Sequence, residues 1–251
     1  MERMDLTSGP TLPSGATFPY LGFGTWQITG DAAQTSTEAA LAAGYRHVDT
    51  ARMYRNEQQV GAALTDGVFV TTKIPPDDAR QHREVIQESL DALGHVDLWL
   101  LHWPGDSDIV AVWRDMIAVR DEGLVGDIGV SNFSLAQLDQ VTEATGVAPA
   151  VNQIPWSPYR QKPEVLQGHR DRGIVLEGYS GLKGGTLDDP VINQIAERLG
   201  RTPAQVIIRW HLAHEVVVIP KSTHPERIAS NADLDFELSD DDVAALDALA
   251  R

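Results

Sequence analysis

Cysteine is absent from the 251 residues. That excludes disulfides, thiolate nucleophiles and zinc–thiolate sites, and it fits a reducing compartment. No run of about eighteen apolar residues occurs, so no segment is expected to span a membrane. The N-terminus, MERMDLTSGP, lacks an apolar h-region and a cleavage signature, and a cytoplasmic location is the expectation. Low-complexity tracts are missing, as are internal repeats of about 20–50 residues. Positive charge is sparse. Lys73, Lys162, Lys183 and Lys221 are the four lysines, and the formal net charge is −16. Such a surface repels nucleic acid and anionic lipid, so neither is an expected partner.

Against these absences stands a regular apolar rhythm. Hydrophobic residues make up 42% of the chain, enough for a substantial core. Eight strand-like runs fall at 21–23, 46–49, 68–72, 97–101, 127–130, 150–153, 174–178 and 216–219. They are short and β-branched-rich, as strands buried on both faces should be. Helical patterns lie between them, clearest at 33–43, 56–64, 78–93, 108–122, 135–144 and 203–213. Ser134 and the Thr202-Pro203 pair look like helix starts. Eight alternating units without a linker predict one domain over 1–251, a (β/α)8 TIM barrel. A doubly wound dinucleotide fold would want G-x-G-x-x-G after its first strand. Gly24-Thr25-Trp26 is not that turn. Residues 6–18 read as an N-terminal β-hairpin closing the barrel floor, and residues 239–248 as a C-terminal helix.

In a barrel, chemistry gathers where strands end. The successive strand ends here carry Gly24-Thr25-Trp26, then Asp49 with Tyr54, Lys73, His102-Trp103, Ser131-Asn132, Gln153, Tyr179-Ser180 and Lys221-Ser222. Asp49, Tyr54, Lys73 and His102 make a plausible acid unit. A phenol, with a pKa near about 10, is a weak donor, and a nearby ammonium lowers that value. An aspartate paired with the lysine keeps it charged when buried. A histidine beside the phenol orients a substrate oxygen or passes the proton. Together the four suit protonation of a carbonyl oxygen as hydride reaches its carbon. Two other classes stay open on chemistry alone: a purely architectural Asp–Lys pair, or a Schiff-base isomerase or aldolase using Lys73.

Five longer segments carry a resemblance. They are GYRHVDTARMYRNEQQVG (44–61), VTTKI (70–74), DLWLLHWP (97–104), GLVGDIGVSNF (123–133) and IPKSTHPERIASN (219–231). In this order they are similar to the signatures of the aldo-keto reductase superfamily, including prokaryotic members of the 2,5-diketo-D-gluconate reductase type. The resemblance runs from about Leu6 to the C-terminus. It implies a metal-free (β/α)8 barrel that reduces a small carbonyl substrate with NADPH (as NADP+ after turnover), commonly as a monomer. By that resemblance Tyr54 is the general acid, supported by Lys73, Asp49 and His102. Ser131, Asn132 and Gln153 hold the nicotinamide carboxamide, and Tyr179 stacks on its ring. Ser180 and Leu182 belong to the pyrophosphate cradle, with Lys183 adjacent. Lys221, Ser222 and Arg227 belong to the 2′-phosphate site, Asn231 touches adenine, and Gly24, Thr25 and Thr223 are also cofactor-binding. A phosphate site after strands seven and eight also fits barrels in general, and the 222–225 turn can open a helix whose N-terminus favours anions.

Several positions depart from the family pattern. Only residues 105–108 separate the His102 rim from the fourth helix, and little follows the last helix. A more open, shallower substrate pocket is therefore expected. Pro75-Pro76 replaces a frequent aromatic, which leaves Trp26, Trp103 and Met53 as the expected apolar wall. Pro155 and Ser157 alter the surface near Gln153, and Ser230 puts one adenine contact in doubt. Gly178 and Gly181 suggest a mobile loop. His211 and His214 lie three apart, but no third metal ligand is evident. His47 reads as a packing residue. Non-enzymatic or redox-sensing relatives keep such a cofactor site without activity, and the intact tetrad argues against that alternative.

Overall fold

The computed structural model describes residues 5–76, 82–106 and 108–251. Its strands are β1 (Phe23–Gly24), β2 (His47–Asp49), β3 (Phe69–Ile74), β4 (Leu98–Leu101), β5 (Asp127–Ser131), β6 (Val151–Pro155), β7 (Val175–Tyr179) and β8 (Val217–Val218). All pair in parallel, each with its sequence neighbour, in the order β1 to β8. Backbone bonds from Gly22 N to Val218 O and from Gly24 N to Pro220 O join the first strand to the last. The expected (β/α)8 barrel is the observed one. Its first and last strands are shorter than their apolar runs, because closure there uses isolated bonds rather than a full ladder.

The helices are α1 (Asp31–Ala42), α2 (Glu57–Ala63), α3 (His82–Leu93), α4 (Ile109–Asp121), α5 (Leu135–Thr145), α6 (Pro163–Asp171), α7 (Pro190–Leu199), α8 (Pro203–Ala213), α9 (Pro225–Ala232) and α10 (Asp240–Asp247). The start expected for α3 at 78–81 lies outside the described residues. Ser134 and Thr202 each cap their helix in a reciprocal box with a glutamine three residues on, satisfying two otherwise orphaned N–H groups. Proline in the first turn opens α6, α7, α8 and α9. At α10, Ser239 boxes with Asp242, which also accepts from Arg198. No helix among the described residues is long and apolar enough to cross a membrane.

The expected hairpin is reduced to one antiparallel pair, Thr11 with Thr17. Its purpose is to plug the floor. Leu12 and Phe18 are buried with Phe69, Leu98, Leu100, Val151 and Val217. Ser14 ties the turn down by donating its N–H and hydroxyl to the Asp127 carboxylate. Phe18 packs at 4.7 Å from His47 and 5.0 Å from Phe69, ring centre to ring centre. His47 is thus the packing residue expected. Burial lowers its pKa to about 3, so it stays neutral.

Side chains alternate across a strand with period two. Asp49 faces the same way as His47, Lys73 as Thr71 and Phe69, Gln153 as Val151, and Tyr179 as Glu177 and Val175. Since Phe69, Val151 and Val175 meet in the floor cluster, these sets point inward. Each strand thereby climbs from an apolar floor to a polar rim.

The floor makes a stability test. Phe18→Ala removes a fully buried ring, and urea denaturation should show a loss of about 3–5 kcal/mol. A loss under about 1 kcal/mol would mean the hairpin is not part of the cooperative core.

Candidate active site

Lys73 sits at the centre of the rim, with its side chain fully buried. Its ammonium donates to Asp49 Oδ1 at 2.6 Å, Asp49 Oδ2 at 2.7 Å and the Thr50 carbonyl at 2.8 Å. An ammonium has three donors, and these three acceptors lie within 2.8 Å of it. Burial works to strip the Lys73 proton, but Asp49, Tyr54 and Glu177 around it hold its pKa above the ordinary lysine value. Burial lifts the Asp49 carboxyl, while Lys73 and Gln153 oppose that lift. With the ammonium on both oxygens, the pair is ionic.

Tyr54 ends a 3-10 turn, Arg52–Tyr54, that follows β2. Arg55 then takes φ 56°, which turns the chain away. The Tyr54 ring lies 5.3 Å from Lys73 Nζ and edge-on to His102, with centroids 5.8 Å apart. Burial raises the phenol pKa, and the Lys73 charge offsets only part of that rise. The net direction is opposite to the expected lowering: burial outweighs what Lys73 contributes through its charge and through hydrogen bonding. His102 is pushed to about 3, by burial first and the Lys73 charge second. Its Nδ1 is buried without a hydrogen-bond partner. The imidazole is therefore neutral.

The opposite wall is a linked amide set. Asn132 Nδ2 donates to the His102 carbonyl and to Ser131 Oγ, both at 3.0 Å, and its Oδ1 accepts from the Tyr179 hydroxyl at 2.7 Å. Ser131 Oγ donates to the Gln153 carbonyl at 2.8 Å. Gln153 Nε2 donates to Asp49 Oδ2 and to Glu177 Oε2, each at 2.8 Å. Glu177 escaped the sequence reading. The signal was present: a lone carboxylate in an apolar strand, in register with Gln153.

One cavity of about 780 Å³ runs from Asp49, Tyr54 and His102 past Gln153 and Tyr179 to Arg227 and Asn231. A volume within about 300–1,000 Å³ suits a bound small molecule. Ser131, Asn132, Gly24, Ser180, Leu182, Lys183, Lys221 and Ser222 also line it. Lys183 Nζ sits 3.8 Å above the Trp26 ring. None of Lys183, Lys221 and Arg227 has an ion-pair partner among the described residues. The N-terminal turn of α9 borders this end, as expected, with Ser222 accepting from His224 N at 3.0 Å.

Not every expected residue reaches the cavity. Thr25 is buried outside it, its hydroxyl donating to the Asp49 carbonyl. Thr223 is exposed and Lys73 lies behind Asp49; neither lines the cavity. Of the expected apolar wall, Trp26 lines it and Met53 and Trp103 do not. Met53 points to solvent, half exposed, and Trp103 packs on His102 at 5.0 Å. Leu182 and Leu187 supply apolar surface instead.

The glycines at 178 and 181 also have a different cause from mobility. A Cβ at Gly178 would meet Trp156 Cβ at 2.9 Å, and one at Gly181 would meet His211 Cε1 at 2.8 Å. His211 is fully buried between the Ile207 and Trp156 carbonyls, while His214 pairs with Asp247. No metal-binding cluster exists among the described residues.

Comparison with known proteins gives a consistent answer. The aldo/keto reductase family matches residues 20–251. An aldo-keto reductase of Mycolicibacterium smegmatis is 42% identical, covering 95% of this chain and 92% of that protein. Methylglyoxal reductase DkgA of Escherichia coli is 39% identical, with 94% and 90% covered. Among solved structures, an aldo/keto reductase from Brucella melitensis superposes with TM-score 0.93 at 39% identity, over 99% of this chain and 100% of that one. A Gox0644 aspartate-to-alanine mutant in complex with NADPH also has TM-score 0.93, at 38% identity, over 98% and 94%. A barrel of this order, with this match along nearly its whole length, belongs to the aldo/keto reductase family.

Proposed function

We propose that the chain reduces aldehydes or ketones to alcohols with NADPH, and that Tyr54 delivers the proton. One observation carries this reading: Tyr54 and His102 converge at one end of a cavity whose other end holds three cationic side chains without carboxylate partners among the described residues. NADPH, when bound, supplies the hydride. Tyr54 holds the proton, because burial keeps the phenol un-ionised at neutral pH. As charge builds on the carbonyl oxygen, that oxygen becomes more basic than phenolate and takes the proton. The fixed Lys73 charge then steadies the phenolate left behind. Neutral His102 donates an N–H to the same oxygen and orients it, with no charge of its own to give.

The cofactor's holders follow from the cavity lining. Tyr179, fixed by Asn132, would present its ring as a stacking surface, and Ser131, Asn132 and Gln153 would hold the carboxamide. Ser180, Leu182 and Lys183 suit the pyrophosphate, while Lys221, Ser222 and Arg227 suit a 2′-phosphate; Asn231 lies at the adenine end. Three unpaired cations in a chain of net charge −16 fit a polyanionic ligand. Trp26, Leu182 and Leu187 offer apolar surface to the substrate. Methylglyoxal, the compound in the name of the E. coli relative, and aromatic aldehydes are the substrates to try first.

Tyr54→Phe should cut kcat by about 10²-fold or more while NADPH still binds. Full turnover in that variant would remove Tyr54 as the acid. The His102 pKa of about 3 fixes the sign of a pH profile. Its neutral form is present above that value and lost only as pH falls through it. Activity should therefore show no acid limb from about pH 5 to about pH 7, where a histidine of ordinary pKa would titrate. At the other end, Lys221→Ala with Arg227→Ala removes two charge-assisted contacts, each worth about 1.5–3 kcal/mol. NADPH affinity should fall at least about tenfold more than NADH affinity, and equal losses would refute the 2′-phosphate assignment.

A further inference from the structure

Glu177 is fully buried beneath the rim, and the acid chemistry above makes no use of it. One oxygen accepts from Gln153 Nε2 at 2.8 Å. The other, Oε1, has no hydrogen-bond partner, and His47 Nε2 stands 3.9 Å from it. Gln153 gives its second amide hydrogen to Asp49. Both hydrogens of one nitrogen are thus held by carboxyl groups. That decides which end of the amide faces the cavity: an amide oxygen in the nitrogen's place would oppose Asp49. Gln153 Oε1 accepts from no donor among the described residues, and Gln153 lines the cavity.

We propose that Glu177 is a positioning residue for the cofactor: with Asp49 it clamps the Gln153 amide so that only its oxygen meets the carboxamide, and it sets the charge of the floor beneath the nicotinamide. This rests on the cofactor reading given above.

The second part follows from a count of charges. Inward-facing groups around Glu177 are Asp49 and His47 on β2, Thr71 and Lys73 on β3, Gln153 on β6, Tyr179 on β7 and apolar Val217 on β8, with Tyr54 above. Asp49 and Lys73 cancel, His47 is neutral, and the phenols hold their protons. The charge on Glu177 is therefore the net charge of the cluster. Burial, then the Asp49 charge, moves this carboxyl up to about 8, so it is a neutral acid at pH 7 and an anion above about 8. The oxidised nicotinamide ring is cationic and the reduced ring is not. An ionised Glu177 therefore favours NADP+ over NADPH, and by linkage NADP+ favours loss of the Glu177 proton.

The test is the ratio of NADP+ to NADPH affinity, measured from tryptophan fluorescence over about pH 6.5 to 9.5. Both nucleotides share the phosphate contacts, so titrations at that end cancel in the ratio. NADP+ should gain about threefold or more on NADPH as pH rises. Glu177→Gln, which keeps the volume and cannot ionise, should flatten the ratio. A flat ratio in the unaltered protein, or a step that survives in Glu177→Gln, overturns the proposal. Proton release in weak buffer needs no variant. Near about pH 7.5, NADP+ should release more proton than NADPH does, and equal release overturns the proposal. If the unaltered protein binds neither nucleotide, the cofactor reading fails and takes this inference with it. If both bind without the pH step, only the inference fails.

Discussion

Everything at the rim is built around one buried ion pair. Lys73 and Asp49 come from adjacent parallel strands, and the barrel interior takes both charges out of water. Desolvation costs several kcal/mol per ion, and mutual attraction offsets it only when geometry is good and every donor is used. Here each Lys73 N–H has an acceptor within 2.8 Å. Asp49 has further support from Gln153. The pair is then rigid, and its cost is recovered as function. A fixed positive charge stands 5.3 Å from the centre of the Tyr54 ring.

That fixed centre needs a rim that does not move around it, and the backbone shows how this is achieved. Among the described residues, five non-glycine residues have left-handed φ: Gln27, Arg55, Asn132, Ser180 and Glu215. The first four lie in the turns after β1, the Tyr54 segment, β5 and β7. Such conformations cost about 1–3 kcal/mol each and persist where surroundings over-determine them. Asn132 shows the over-determination. Its N–H bonds the Gln153 carbonyl, and its side chain ties together His102, Ser131 and Tyr179. Asparagine also tolerates the left-handed region better than most residues. One residue thus couples β4, β5, β6 and β7, so His102 and the Tyr179 ring hold their places by the same contacts.

The sequence shows the parts of this design that obey a period. Strand runs two faces deep, capped helix starts and polar residues at strand ends are local patterns, and they locate the barrel and the Asp49, Tyr54, Lys73 and His102 unit. What escapes is set by three-dimensional approach. Gly178 and Gly181 look like a flexible loop, yet they are small because Trp156 and His211 press against them. Trp103 looks like a pocket wall, yet it turns onto His102. The sign of the Tyr54 shift depends on how deeply the phenol is buried, which no spacing reveals. Glu177 was readable in principle. A carboxylate facing inward between Val175 and Tyr179 has nowhere to go but the barrel centre.

The same logic extends to the far end of the cavity, where the problem is inverted. At the centre, charges are paired within the chain. At the outer end Lys183, Lys221 and Arg227 line a common wall without carboxylate partners among the described residues, in a chain that carries 36 acidic residues. Acidic side chains are abundant enough to have neutralised them. Partial burial, and next the nearby Lys221, lower the Lys183 pKa, so the ammonium is held where its charge is disfavoured. Its one compensation is the Trp26 face at 3.8 Å, a cation–π contact worth about 0.5–1 kcal/mol at an exposed site. An anion entering the cavity would reverse both penalties at once. Paired charge at one end and unpaired charge at the other give the cavity its polarity: a ligand with a phosphate-rich end would lie with that end toward Lys183, Lys221 and Arg227 and its other end toward Tyr54 and His102.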